Sequence, residues 1–156
     1  MTTPDHLIAI DPGTERSAWA HLYGDTIEDK RIADNVALLQ WLRTASSWSH
    51  CRWAIEMVAS YGMPVGKEVF ETVLWIGRFH EAITSRSGIV QFVYRKDVKL
   101  HLCGSVRAKD GNVRQALLDR YGAPGTKKKP GPTYGIKADM WSALAVATYA
   151  KDCLHG

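Results

Sequence analysis

Hydrophobic and polar positions along the chain separate short strands from helices. An apolar run at residues 7–10, Leu-Ile-Ala-Ile, ends at Asp11-Pro12-Gly13, whose proline and glycine mark a turn. Residues 17–23 mix apolar and small side chains and predict a second strand, and Gly24-Asp25 supplies a hairpin into a third at 26–32. Asp34 stands where it would cap a helix with Val36, Leu38, Leu39, Trp41 and Leu42 on its apolar face. Residues 53–58 are strand-like again and carry a single acid, Glu56, near the far end. Tyr61-Gly62-Met63-Pro64 breaks that strand, and a helix is predicted over 66–83, with Val69, Phe70, Val73, Leu74 and Ile76 among its apolar positions. The β-branched and aromatic run at 89–94 predicts a fifth strand. Residues 110–121 predict a helix stopped by Gly122, and an alanine-rich helix closes the pattern at 139–152. The order βββ-α-β-α-β-α-α defines an α/β layout on a mixed sheet.

The length of 156 residues suits one domain over 1–156. With 46% hydrophobic and 23% charged residues the composition is that of a globular protein, which excludes disorder, collagen and coiled coil for the chain as a whole. No apolar run approaches the ~20 residues that cross a bilayer, so no membrane partner is expected. The opening MTTPDH lacks the pattern of a signal peptide, which places the expected location in the cytoplasm. Cys51, Cys103 and Cys153 are an odd number without a C-x-x-C pair, which argues for reduced thiols rather than disulfides or structural zinc. Twenty Lys and Arg against sixteen Asp and Glu give a net charge of +4, compatible with a polyanionic partner.

Chemistry enters where acids interrupt apolar structure. Asp11 ends the first strand, Glu56 ends the fourth and Asp139 opens the last helix. If the first and fourth strands are neighbours, Asp11 and Glu56 lie side by side and repel. A divalent cation relieves that repulsion, and oxygen-only ligands suit Mg²⁺ or Mn²⁺. Taken singly, Asp11 also reads as the start of a turn and Asp139 as a helix cap. Glu56 in WAIEMV has neither duty.

IAIDPGTERS at the first strand, AIEMV at the fourth and KADMWSALAVA in the last helix resemble the RuvC family of Holliday-junction resolvases, of the ribonuclease H-like superfamily, over residues 6–150. The flavour of the likeness is that of a phage or prophage resolvase, acting in a prokaryotic or phage-infected cell. The resemblance implies a ribonuclease H-like fold: a five-stranded mixed sheet, three antiparallel strands then two parallel, flanked by helices. It also implies a Mg²⁺-dependent endonuclease, with Mn²⁺ substituting, that resolves branched DNA by paired nicks. Asp11 would bridge two ions and Glu56 and Asp139 would complete their shells, in two-metal phosphodiester hydrolysis. Paired nicking of a four-way junction requires two active sites, hence a homodimer, for which the helix at 66–83 is the expected interface. One departure stands out. The family's last motif usually offers a second acid one helical turn on, where this chain has Ser142. Either Asp139 serves alone or another acid such as Asp110 contributes; Lys137 is a further accessory candidate for orienting a phosphate or water.

Arg95, Lys96, Lys99, Arg107, Lys109 and Arg114 cluster within twenty positions, each able to neutralise a phosphate. The stretch from Asp97 through Gly104 to Lys109 resembles the one where RuvC proteins hold DNA-contacting cations, which makes Lys99, Arg107, Lys109 and Arg114 nucleic-acid-binding candidates. The Lys127-Lys128-Lys129 run, flanked by Pro and Gly, reads as a mobile, solvated loop. Tyr61 follows Glu56 where the family presents an aromatic ring to the junction; it either stacks on an unpaired base, worth ~1–3 kcal/mol, or packs beside Pro64. Trp19, Trp41, Trp48, Trp53, Trp75 and Trp141 are read as core or interface packing. His6, His21, His50, His80, His101 and His155 show no metal-ligand spacing.

Rival classes remain at this level. Asp11-Pro12-Gly13-Thr14 also resembles the phosphate loop of sugar kinases and actin-like ATPases, but those close two such domains on ATP and 156 residues supply one. A ribonuclease H-like RNA-processing nuclease would use the same metal chemistry. A non-catalytic nucleic-acid-binding module is the reading that Ser142 favours.

Overall fold

The structure is a computed structural model that describes residues 6–44, 51–86 and 88–154. Trp48, His50 and His155 lie outside the described residues. In chain order the elements are β1 (His6–Asp11), β2 (Arg16–Tyr23), β3 (Thr26–Asp34), α1 (Asn35–Thr44), β4 (Cys51–Met57), α2 (Lys67–Thr84), β5 (Ile89–Tyr94), α3 (Arg95–Cys103), α4 (Asp110–Tyr121) and α5 (Met140–Cys153). The five strands form one sheet in the order β3-β2-β1-β4-β5. β1, β2 and β3 pair antiparallel, and β4 and β5 continue the sheet in parallel with β1.

The period of two in the strands divides the core into two layers. Ile8, Ile10, Trp19, Trp53 and Ile55 face α1 and α2, where Leu38, Leu42, Ile76 and Phe79 meet them. Leu7, Ala9, Ala18, Ala20 and Ala54 face the opposite way, against Ala143, Leu144 and Ala147 of α5. Small side chains on both partners let α5 lie close across the centre of the sheet, with Val98 of α3 and Leu117 of α4 completing that layer. Each fully buried Leu, Ile or Phe contributes about 1.5–3 kcal/mol.

Three expectations need correcting. Residues 95–103 form α3, which the pattern did not reveal because Val98 is its only buried residue among mostly charged neighbours. Asp34 ends β3 directly before α1, at the cap position; the helix begins with Asn35, whose side chain is buried, and Val36, expected on the apolar face, is exposed. Of the expected apolar positions in α2 only Ile76 is buried, because the face on the sheet runs through Thr72, Ile76, Phe79 and Ile83, leaving Phe70, Val73 and Leu74 exposed. The lysine run is an exposed loop, as expected, and it is closed as a hairpin by an antiparallel bridge between Gly125 and Pro130.

Candidate active site

Asp11 and Glu56 sit at the ends of neighbouring parallel strands. Ile10 pairs with Ile55, so the next residue on each strand, Asp11 and Glu56, are neighbours in register. Since Ile10 and Ile55 face α1 and α2, alternation turns both acids toward the α5 layer. The turn after Asp11 is held by three hydrogen bonds in a ring. The Gly13 N–H donates to Ser17 Oγ (3.1 Å), Ser17 Oγ donates to Asn35 Oδ1 (2.6 Å) and Asn35 Nδ2 donates to the Gly13 carbonyl (2.9 Å). Ser17 and Asn35 are buried, and a Cβ at residue 13 would stand 2.3 Å from the Arg16 carbonyl oxygen, so glycine is required there. Sequence reasoning missed both polar residues; the available signal was an asparagine opening an otherwise apolar helix.

The electrostatics follow from burial and crowding. The Asp11 carboxyl is pushed up to about 9, first by burial, then by a hydrogen bond to Glu56 and the charges of Glu56 and Asp139, with Arg95 opposing. At neutral pH, without a metal, the Asp11 carboxyl therefore keeps its proton. Glu56 is 9% exposed, and its Oε1 accepts a 3.0 Å hydrogen bond from Arg95 Nε. The charge of Glu56, followed by that of Asp11 after the opposing effect of burial, pushes the Arg95 guanidinium further up. Arg95 was visible in the sequence only as one of six clustered cations. It reaches the site because Glu56 pairs with Val93 on β5 and Arg95 follows two residues on.

Asp139 precedes α5 with helical backbone angles and makes no side-chain cap hydrogen bond, so capping does not occupy its carboxylate. It is exposed, and it lines an open cleft with Asp110 and Arg114 of α4 and Ser142 of α5. Ser142 faces that cleft where a second acid was expected, and Asp110 is brought to it from the neighbouring helix. Lys137 is exposed; its carbonyl accepts the Met140 N–H at 3.1 Å, and its side chain does not line the cleft. Arg114 lies 5.1 Å from the Trp141 ring centre.

The donor set suits a hard divalent cation in part. Asp11 and Glu56 are neighbouring carboxyls, a cation can replace the proton that Asp11 keeps, and Asp139 is near enough to act on Asp11 through its charge. Among the described residues, however, no three His, Cys, Asp or Glu side chains close into a group that could hold a metal ion. The arrangement is thus a two-carboxylate nucleus with Asp139 uncapped beside it and Arg95 on Glu56.

The basic candidates lie to one side. Tyr61 is 59% exposed with φ of 48°, so it does not pack into the core beside Pro64. With Arg95 it borders both the hollow containing Asp11 and Glu56 and a second hollow lined by Lys96, Lys99 and Val106. Arg107, Lys109 and Arg114 are exposed on the segment from α3 into α4. Lys109 precedes α4, and its N–H donates to the Asn112 side chain at 2.9 Å.

No protein-family model and no curated protein matches the chain. Solved structures do. The chain superimposes on RuvC from Thermus thermophilus with a TM-score of 0.68 at 16% identity, covering 94% of this chain and 96% of that one. T. thermophilus RuvC in complex with a Holliday junction substrate matches with a TM-score of 0.67 at 15% identity, covering 92% and 90%. The fold is therefore RuvC-like, of the ribonuclease H-like class, with the expected three antiparallel strands followed by two parallel ones. Among the described residues no helix is long and apolar enough to cross a membrane.

Proposed function

We propose that this chain is a divalent-metal-dependent endonuclease acting on branched DNA, with the four-way junction as its substrate and a homodimer as its working form. The observation that carries the reading is the placement of Asp11 and Glu56 side by side at the ends of two neighbouring parallel strands of a RuvC-like sheet, where burial and the nearby Glu56 hold the Asp11 carboxyl well above its usual range. Asp11 and Glu56 would hold Mg²⁺ or Mn²⁺ with Asp139 at the head of α5, and the bound metal would supply activation of a water and stabilisation of the leaving oxygen. The chain's own residues do the remaining work. The Gly13–Ser17–Asn35 ring fixes the backbone that carries Asp11. Arg95 holds Glu56 through Nε and lines the hollow, where its remaining N–H groups would be free to bind a substrate phosphate. Tyr61 offers an aromatic face to an unpaired base, while Lys99, Arg107, Lys109 and Arg114 neutralise phosphates along the approach.

Phe70, Val73 and Leu74 form an exposed apolar face on α2, at 64%, 42% and 57% exposure, and this face is where a second copy would dock. The direct test is junction cleavage by wild-type protein beside Asp11→Asn and Glu56→Gln. Both variants are expected to lose cutting while binding the junction at least as tightly, and full activity in either would remove the metal assignment. Ser142 and the open spacing of the carboxylates favour a second reading, a binding module without catalysis, for which wild type binds and does not cut.

A further inference from the structure

Between Asp119 and Asp139 the chain contains no acid, while it carries Arg120, Lys127, Lys128, Lys129 and Lys137. Three of these lysines stand at a hairpin that the backbone locks. The Thr126 N–H donates to the Lys129 carbonyl and the Lys129 N–H to the Thr126 carbonyl, both at 3.1 Å. Lys129 N–H is also within 3.1 Å of the Thr126 hydroxyl, and the Gly131 N–H donates to the Pro124 carbonyl at 2.8 Å. Gly125 has φ of +68°, and a Cβ there would lie 2.4 Å from the Lys129 carbonyl oxygen; at Gly131 it would lie 2.0 Å from that of Ala123. Behind the hairpin, buried Thr133 donates to the Gly122 carbonyl at 2.7 Å and ties the loop to the end of α4. All three lysines are exposed, and among the described residues none is in an ion pair.

Three like charges on a closed hairpin with no acid nearby in the chain are held at a cost in repulsion that an isolated domain does not need. A polyanion with regularly spaced charges relieves it, and the hairpin's order removes much of the entropy cost of meeting one. We infer that the Lys127–Lys129 hairpin is a phosphate-gripping element for a duplex arm of the DNA substrate, separate from the cations beside the carboxylates. The inference rests on the proposed DNA substrate. Lys129 is ten residues from Asp139, so its backbone lies within about 35 Å of that residue even for a fully extended link. That distance corresponds to about ten base pairs of duplex at ~3.4 Å per step.

The test measures binding of a fluorescent four-way junction with arms of about 20 base pairs, in EDTA, over a range of salt concentrations. Wild type is compared with a Lys127→Ala, Lys128→Ala, Lys129→Ala triple variant and with the corresponding triple Lys→Arg variant. Each lost phosphate contact is expected to flatten the slope of log K against log salt by about 0.9, so the alanine variant should lose about 1.8–2.7 units. The arginine variant should retain the wild-type slope, which separates charge from folding. An unchanged slope in the alanine variant, with wild type binding normally, overturns the hairpin's role and leaves the DNA reading standing. Wild type that does not bind the junction at low salt overturns the substrate reading, and the inference with it.

Discussion

Arg95 donates from Nε to Oε1 of Glu56 across 3.0 Å, at the end of the sheet where Glu56 also meets Asp11. A nearly buried carboxylate is thus bonded on one side to a cation and on the other to a second carboxyl. Arg95→Ala leaves Glu56 without its charged donor. The expected loss of stability in EDTA is about 1–3 kcal/mol, read from urea unfolding. Wild-type stability in this variant would place the Glu56–Arg95 pair outside the forces that hold the site.

Asp11 carries the clearest pH signature. Its folded pKa of about 9 lies above the model-peptide value of 3.8, so the folded state binds the extra proton. Its contribution to metal-free stability is therefore fully present below the unfolded value and is lost as pH rises toward 9. Asp11→Asn removes the ionisable group. The melting temperature of wild type in EDTA should fall between pH 5 and pH 8 more steeply than that of Asp11→Asn, and parallel curves would contradict the assignment.

Asp152 shifts the opposite way. Arg120 Nη2 lies 2.7 Å from its Oδ1 and His101 Nε2 lies 2.7 Å from its Oδ2; the Arg120 hydrogen bond is the largest cause lowering its pKa. Its contribution is present above the unfolded value and is lost as pH falls through the folded one. Asp152→Asn should cost less than about 1 kcal/mol at neutral pH, because the cluster is partly solvated. The difference from wild type should close in acid, as measured by denaturant unfolding across pH.

The ring through Gly13, Ser17 and Asn35 is a fourth handle. Asn35→Ala deletes the acceptor of Ser17, in a buried setting, and the donor to the Gly13 carbonyl, in a part-buried one. Loss of about 1–3 kcal/mol is expected, together with impaired cleavage, because the turn beyond Asp11 loosens. Retained stability with impaired cleavage would assign the ring to positioning alone.

The exposed face of α2 predicts association. Leu74→Glu places a charge beside Phe70 and Val73 and should convert a dimer to a monomer in analytical ultracentrifugation. A wild-type monomer at all concentrations would place the second active site elsewhere.

The sequence made much of this legible for definite reasons. The strands at 7–10 and 89–94 alternate or run apolar between clear turn signals, and β5 fell on its predicted bounds. Asp11 and Glu56 could be paired because acids at the ends of apolar strands are expensive. α3 was hidden since a helix burying one side chain, Val98, leaves no stripe to read. Arg95 looked like any surface cation because its partner is 39 residues away and only the β4–β5 register joins them. The lysine hairpin was hidden for a different reason: its order comes from backbone hydrogen bonds and two close-approach glycines, which composition does not display.

Metal-dependent cutting of branched DNA at the Asp11–Glu56 pair is the proposed activity that everything else serves. The most direct measurement follows a labelled four-way junction beside matched duplex, single-stranded DNA and RNA–DNA hybrid, each with Mg²⁺, Mn²⁺ or EDTA. Symmetric nicks in the junction with either metal, and none in EDTA or in the unbranched substrates, are the predicted result. Cutting of the hybrid alone, or junction binding without nicks under both metals, would contradict it.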